Sequence, residues 1–141
     1  MRRAFPLAGL LRVRSIAEDR AAAELAEAHR QEQAARDRAI ETARLLGSSA
    51  ATAEAEPQAF RASVAARMAM SALLVEAKAD VAVAESRTAQ RAQAWSVARQ
   101  ATRTVERLGE KHDEEQRTEE LKAEQAALDE IAGRRPTEVT T

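Results

Sequence analysis

His29 and His112 are the only histidines in a chain that carries 23 Asp and Glu, 22 Lys and Arg and no cysteine. A proton-transfer dyad or a metal pair requires imidazoles that the fold brings within reach of each other or of a carboxylate. These two fall on different predicted helices and far apart in the predicted register, so both are expected to be solvated polar residues. The lack of cysteine excludes disulfides and thiolate metal sites. Neither a glycine-rich phosphate loop nor a nucleophile elbow occurs. The expectation is a non-enzymatic protein with no catalytic residues, no cofactor and no metal. The remaining chemistry is electrostatic. Arg2, Arg3, Arg12 and Arg14 precede the first acid, Glu18, whereas Glu106 to Glu130 holds ten acids against Arg107, Lys111, Arg117 and Lys122. Such ends suit each other or two different partners, and no uniformly basic face for nucleic acid is expected. The acidic run Asp113 to Glu120 reads as a solvated helical face or as a docking surface for a basic partner.

The element that must position these groups is Pro57 to Ala132, which has no proline after the first and one interior glycine, Gly109. Alanine and straight-chain residues dominate it, and these have the best helix propensities. Pro57 suits a first helical turn, and Gly133 and Pro136 supply a stop. One helix of that length would extend about 110 Å, too long for the core of a globule. The composition agrees. Of 141 residues 45% are hydrophobic, but the aromatics are only Phe5, Phe60 and Trp95, and alanine makes up most of the apolar count. No apolar run approaches the roughly 18 residues of a membrane span. Ala4 to Leu11 is too short for a signal sequence and is interrupted by Arg12 and Arg14, so a retained segment and a cytoplasmic location are expected.

A first helix is predicted over 6–46, a tip loop over 47–56, a second helix over 57–132 and a disordered tail over 133–141. Leu7, Leu10, Leu11, Val13, Ile16 and Ala17 crowd one side of the first helix, followed by a narrower stripe through Ala21, Leu25, Ala28, Ala35, Ala39, Ala43 and Leu46. Leu10, Ala21, Glu32 and Ala43 are eleven apart, as are Val64, Val75, Ser86, Val97 and Leu108, with Met68, Ala72, Ala79, Ala82, Ala94, Ala101 and Val105 between them. An eleven-residue repeat predicts a nearly straight or weakly right-handed pairing. Gly47, Ser48 and Ser49 end the first helix, and the short connection makes the two helices antiparallel neighbours. Folding about residue 52 places residue n near 104 minus n: Leu25 faces Ala79, Leu7 and Leu10 fall beside Trp95 and Val97, and Phe60 closes the tip. The last roughly 35 helical residues, from about Ala98, are then unpartnered, with an apolar stripe of Val105, Leu108, Leu121, Leu128 and Ile131 and a weak joint at Gly109. The expected fold is all-α, an antiparallel two-helix coiled-coil hairpin with a long overhanging C-terminal helix.

Both ends resemble the FliJ family of flagellar type III export proteins. Phe5-Pro6-Leu7-Ala8-Gly9-Leu10-Leu11-Arg12-Val13-Arg14, followed by Glu18, Ala22 and Leu25, is similar to the family's opening helix. Val105-Glu106-Arg107-Leu108, Glu110-Lys111, Glu124-Gln125 and Leu128-Asp129-Glu130-Ile131-Ala132 are similar to its closing helix. The resemblance implies a stalk or adaptor at the centre of the hexameric flagellar export ATPase, linked to the membrane export gate and handling export chaperones. It implies ATPase contacts at Leu7, Leu11, Arg14, Val105, Leu108, Leu128 and Ile131, and gate contacts at Phe60, Val64 and Met68. The implied location is cytoplasmic, peripheral to the inner membrane at the flagellar basal body.

Three alternatives fit the same residues. The equivalent stalk of a virulence secretion system would share the shape and use another ATPase. A structural homodimer would zip two overhangs together. A peripheral membrane helix would use the leucines and arginines of the first segment.

Overall fold

The computed structural model describes residues 3–49 and 56–134. It contains two long helices packed antiparallel, α1 (Ala8–Ser48) and α2 (Pro57–Gly133), and no strand among the described residues. Local chemistry sets their ends. The Ala8 amide donates to the Phe5 carbonyl at 3.1 Å, which makes a turn of Pro6 and Leu7 ahead of α1. The Ser48 and Ser49 hydroxyls donate to the Leu45 and Leu46 carbonyls, satisfying acceptors that the end of α1 leaves free. Gly47 keeps a negative φ, so α1 ends through serines and not through a left-handed glycine. Pro57 occupies the first helical position of α2, where its missing amide costs nothing.

The chain divides into two compact units: Glu18–Ala98, and the residues up to Ala17 together with those from Arg99 onward. In the first of these the covered positions of α1 are Glu18, Ala21, Leu25, Ala28, Glu32, Ala35, Ala39, Thr42 and Leu46, spaced alternately three and four apart. Those of α2 follow the same rule from Ser63 through Arg67, Met70, Leu74, Ala77, Val81 and Ala84 to Thr88. This is a heptad repeat, the pattern of a left-handed coiled coil, and it corrects the expectation of an eleven-residue repeat. Met68, Ala72, Val75, Ala79, Ala82 and Ser86, which that repeat assigned to the seam, are exposed. Alanine lies on nearly every face of α2, so rows of seven and of eleven look alike there. The row that is buried is the one holding Met70, Leu74 and Val81, which remove more apolar surface from water. Glu32, a break in the expected stripe, is a seam member only 8% exposed. Its carboxylate meets Arg36 at 2.6 Å, and Arg36 reaches across to Glu85 at 2.9 Å. The hydrogen bond that Arg36 donates to Glu85, and then the Glu32 charge, hold the Arg36 pKa above its ordinary value.

The register also differs. Gln31 accepts from Arg87 at 3.2 Å, Glu24 meets Arg91 at 2.7 Å, and the Ser49 carbonyl accepts from Arg67. With Arg36 and Glu85, these pairs of numbers add to between 115 and 121, so residue n faces about 117 minus n rather than 104 minus n. Leu25 is therefore level with Ala92, not Ala79. The physical reason is that Ser49, at the end of α1, is level with Arg67 and not with the start of α2, so residues 57–66 precede the paired stretch. The loop assigned to 47–56 and the tail from 133 fall largely on residues 50–55 and 135–141, outside the described residues.

In the other unit the same register holds. The Thr102 hydroxyl donates to the Arg14 carbonyl at 3.2 Å, and the Arg3 amide to Gln116 Oε1 at 3.4 Å. Leu7 and Leu10 are thus level with residues near 107–110, not with Trp95 and Val97. Val105 is only 6% exposed and belongs to the seam. The N-terminal residues reach along α2 at least as far as Gln116, so the stretch beyond them is at most about half the expected length. α2 runs unbroken through Gly109, and a methyl added there would meet the Phe5 ring at 3.5 Å, an ordinary van der Waals distance. Gly109 is therefore a seat for Phe5 and not a joint.

Two substitutions test this packing. Leu74→Ala should cost about 1–2 kcal/mol, because a half-buried seam residue loses its contacts. The adjacent Val75→Ala should change stability by less than about 0.5 kcal/mol; urea unfolding followed by helical circular dichroism would read both, and the reverse order would restore the eleven-residue seam. Gly109→Ala should stabilise by about 0.5–1 kcal/mol in the same assay, since it removes a helix-interior glycine without a clash.

Candidate partner-binding surfaces

The seven residues assigned to an ATPase contact all lie in the unit that holds both ends of the chain, but in three different settings. Val105 is buried and Leu11 half-buried, so both serve the helix pairing. Arg14 has an exposed side chain, and its carbonyl is taken by Thr102. Leu7 and Leu108 stand open to solvent, as do Leu128 and Ile131. The N-terminal residues finish the covered part of α2: the Phe5 ring lies 5.6 Å from the His112 ring, tilted by 54°, above Gly109. His112 is thus a packing residue and not the solvated one expected, whereas His29 is exposed on α1. The structure does not bring the two together, and among the described residues no group of three or more carboxylate and imidazole ligands could hold a metal.

Past Gln116 the character of α2 changes. Leu121, Leu128 and Ile131 are 66%, 61% and 67% exposed and spaced by seven and three. The seam in this unit runs through Val105, Gly109, His112 and Gln116. At 100° per residue the Leu121 stripe is turned roughly 120° away from it, so a longer α1 in the same pairing would not cover the stripe. Around it stand Glu119, Glu120, Glu124, Asp129 and Glu130 against Arg117 and Lys122, a net acidic rim. Leu121 is the residue that belongs with Leu128 and Ile131, by its seven-residue spacing. On α1, Leu10, Val13 and Ile16 are also exposed, but steps of three residues turn about the helix and set Ile16 on another side from Leu10.

The gate candidates fall in the Glu18–Ala98 unit. Phe60, Val64 and Met68 follow one another at four-residue intervals and form one exposed row on the first turns of α2. Val64 and Met68 line a shallow groove with Arg67 and Ser71. Arg67 is fixed there by its bond to the Ser49 carbonyl, so the groove has one basic, anchored wall. Among the described residues no helix is long and apolar enough to cross a membrane.

Comparison with known proteins adds one finding. No curated protein and no solved structure matches the chain. The family model described as Flagellar FliJ protein matches residues 3–138, nearly the whole length and both of the resembling ends. With its paired helices, its heptad seam and this match, the chain belongs to the FliJ family and is a component of flagellar type III protein export.

Proposed function

We propose that the protein is the central stalk and adaptor of the flagellar export apparatus, a non-enzymatic helical element that enters the export ATPase hexamer. The observation that carries this reading is the acidic, apolar end of α2. Leu121, Leu128 and Ile131 are exposed on a face that the chain's own pairing leaves uncovered. Exposed apolar rows of this kind mark surfaces completed by another protein. Leu7, Leu10 and Leu108 extend the contact at the paired end, with Arg14 as a charged flank. Leu11 and Val105 support the contact from within by holding the two helices together.

Phe60, Val64 and Met68 meet the export gate in this reading, and export chaperones are handled on the way. The protein then resides in the cytoplasm, peripheral to the inner membrane at the basal body. The family match is to a flagellar protein, which favours the flagellar ATPase over its virulence counterpart.

The test is to mix the full-length protein with the purified flagellar export ATPase and follow hexamer formation and ATP turnover. Wild-type protein should promote both. Leu128→Asp combined with Ile131→Asp should weaken the interaction roughly tenfold or more, the scale of losing apolar anchors from a contact centre. Arg30→Glu, on the exposed face of α1, should behave as wild type. Unaltered hexamer formation and turnover on adding wild-type protein would reject the stalk reading.

A further inference from the structure

α2 carries a second heptad face inside the Glu18–Ala98 unit, opposite its seam with α1. Met68, Ala72, Val75, Ala79, Ala82 and Ser86 are spaced alternately four and three apart, and all are exposed. Met68 and Val75 stand 69% and 70% open, and Val83 on the rim 59%. No charge occupies this row. The corresponding outward row of α1 holds Asp19, Arg30, Asp37 and Arg44 beside one large apolar residue, Ile40, and there Arg30 pairs with Glu27 and Arg44 with Glu41. One helix is thus finished for water on its outer side and the other is not.

We propose that this face of α2 is covered by the same face of a second copy of the chain, in antiparallel pairing about a two-fold axis between Ala79 and Ala82. The complement is written in the face itself. In this register Ala72 lies against Ala89 of the second copy, Val75 against Ser86 and Ala79 against Ala82, so each larger side chain meets a small one. Lys78 and Glu85, seven residues apart on one flank of the face, then meet each other across the axis, twice by symmetry. Glu76 on the other flank meets Val83.

Neighbouring registers are excluded by charge. A slide of one heptad in one direction sets Lys78 against Lys78 and Glu76 against Glu76, and a slide in the other sets Glu85 against Glu85. Parallel pairing forms no ion pair and stacks Val75 on Val75 beside alanine layers that need a closer approach. Of these arrangements, only the one centred on Ala79 and Ala82 has opposite charges meeting and like charges apart. Glu85 already meets Arg36 of its own chain at 2.9 Å, so Lys78 of the second copy completes a three-membered alternation of charge.

Sedimentation equilibrium of the full-length protein, from micromolar to millimolar concentration, tests the pairing. A concentration-dependent dimer is expected. Lys78→Glu should raise its dissociation constant roughly three- to tenfold, the scale of two exposed ion pairs lost together. Adding Glu85→Lys to that variant should recover most of the loss, a rescue that a merely structural role would not produce. Ala82→Arg should leave a monomer whose circular dichroism matches wild type, since the position is exposed. A monomer at every concentration would overturn the proposal, and so would a dimer that survives Ala82→Arg or that Leu128→Asp alone dissociates.

Discussion

Two helices whose seam holds alanine more often than any other residue must approach closely, and nearly everything else in the structure follows from that approach. Among the described residues the buried apolar ones are Ala28, Ala35 and Val105, and no large side chain is fully enclosed. Each seam layer therefore removes little surface from water, and stability accumulates along the length of the pairing instead of residing in a core. Close approach also brings the Phe5 ring over Gly109, 3.5 Å from where a Cβ would be, an ordinary contact that leaves room for alanine. Most of the larger apolar side chains are left outside the seam and are available to other proteins.

A seam of small residues specifies register weakly, and polar groups within it add what alanine cannot. Glu32 is nearly buried, and its charge is answered one turn on by Arg36, which continues to Glu85 on the other helix. Sliding α1 past α2 by one heptad would part Arg36 from Glu85, Glu24 from Arg91 and Gln31 from Arg87 at once. Each contact is small because its partners are half open to water. Together they distinguish one register from its neighbours more sharply than Ala28 or Ala35 can. Thr88 carries the opposite sign: its hydroxyl is buried without a hydrogen-bond partner in a layer where valine would be less costly.

Helix content and antiparallel order could be read from the residues, and the helix ends only to within two residues: α1 runs Ala8–Ser48 and not 6–46, and α2 runs Pro57–Gly133 and not 57–132. Alanine propensity, Pro57, and the run Gly47-Ser48-Ser49 each act within a few residues, and nothing distant competes with them. The seam and its register could not be read, because both depend on which of several similar faces is covered. With alanine on most faces of α2, the apparent eleven-residue row through Val64, Val75 and Ser86 was as regular as the heptad row through Met70, Leu74 and Val81. Size decides between them only when the whole pairing is summed. The exposure of Leu128 and Ile131 was legible, since no plausible register gives them an α1 partner. The burial of Val105 was not, because it changes with a shift of 13 residues in register, about six or seven in the fold-back point.

The outward heptad positions of α2 separate its uncovered surfaces along the sequence. They are uncharged from Met68 to Ala89 and then become Gln100, Arg103, Arg107, Glu110, Glu114 and Arg117 before turning mostly apolar again at Leu121, Leu128 and Ile131, with Glu124 among them. A protein that merely had too little polar surface would scatter such residues; here the charges are concentrated between two apolar stretches of the same positional row. An occupant that packs on alanine at close approach cannot continue onto arginine and glutamate without desolvating them. The two stretches therefore suit separate occupants of different chemistry. The first is small and nearly neutral, suited to a helix with a similar face. The second is built of leucine and isoleucine within an acidic rim, suited to a basic-edged apolar recess.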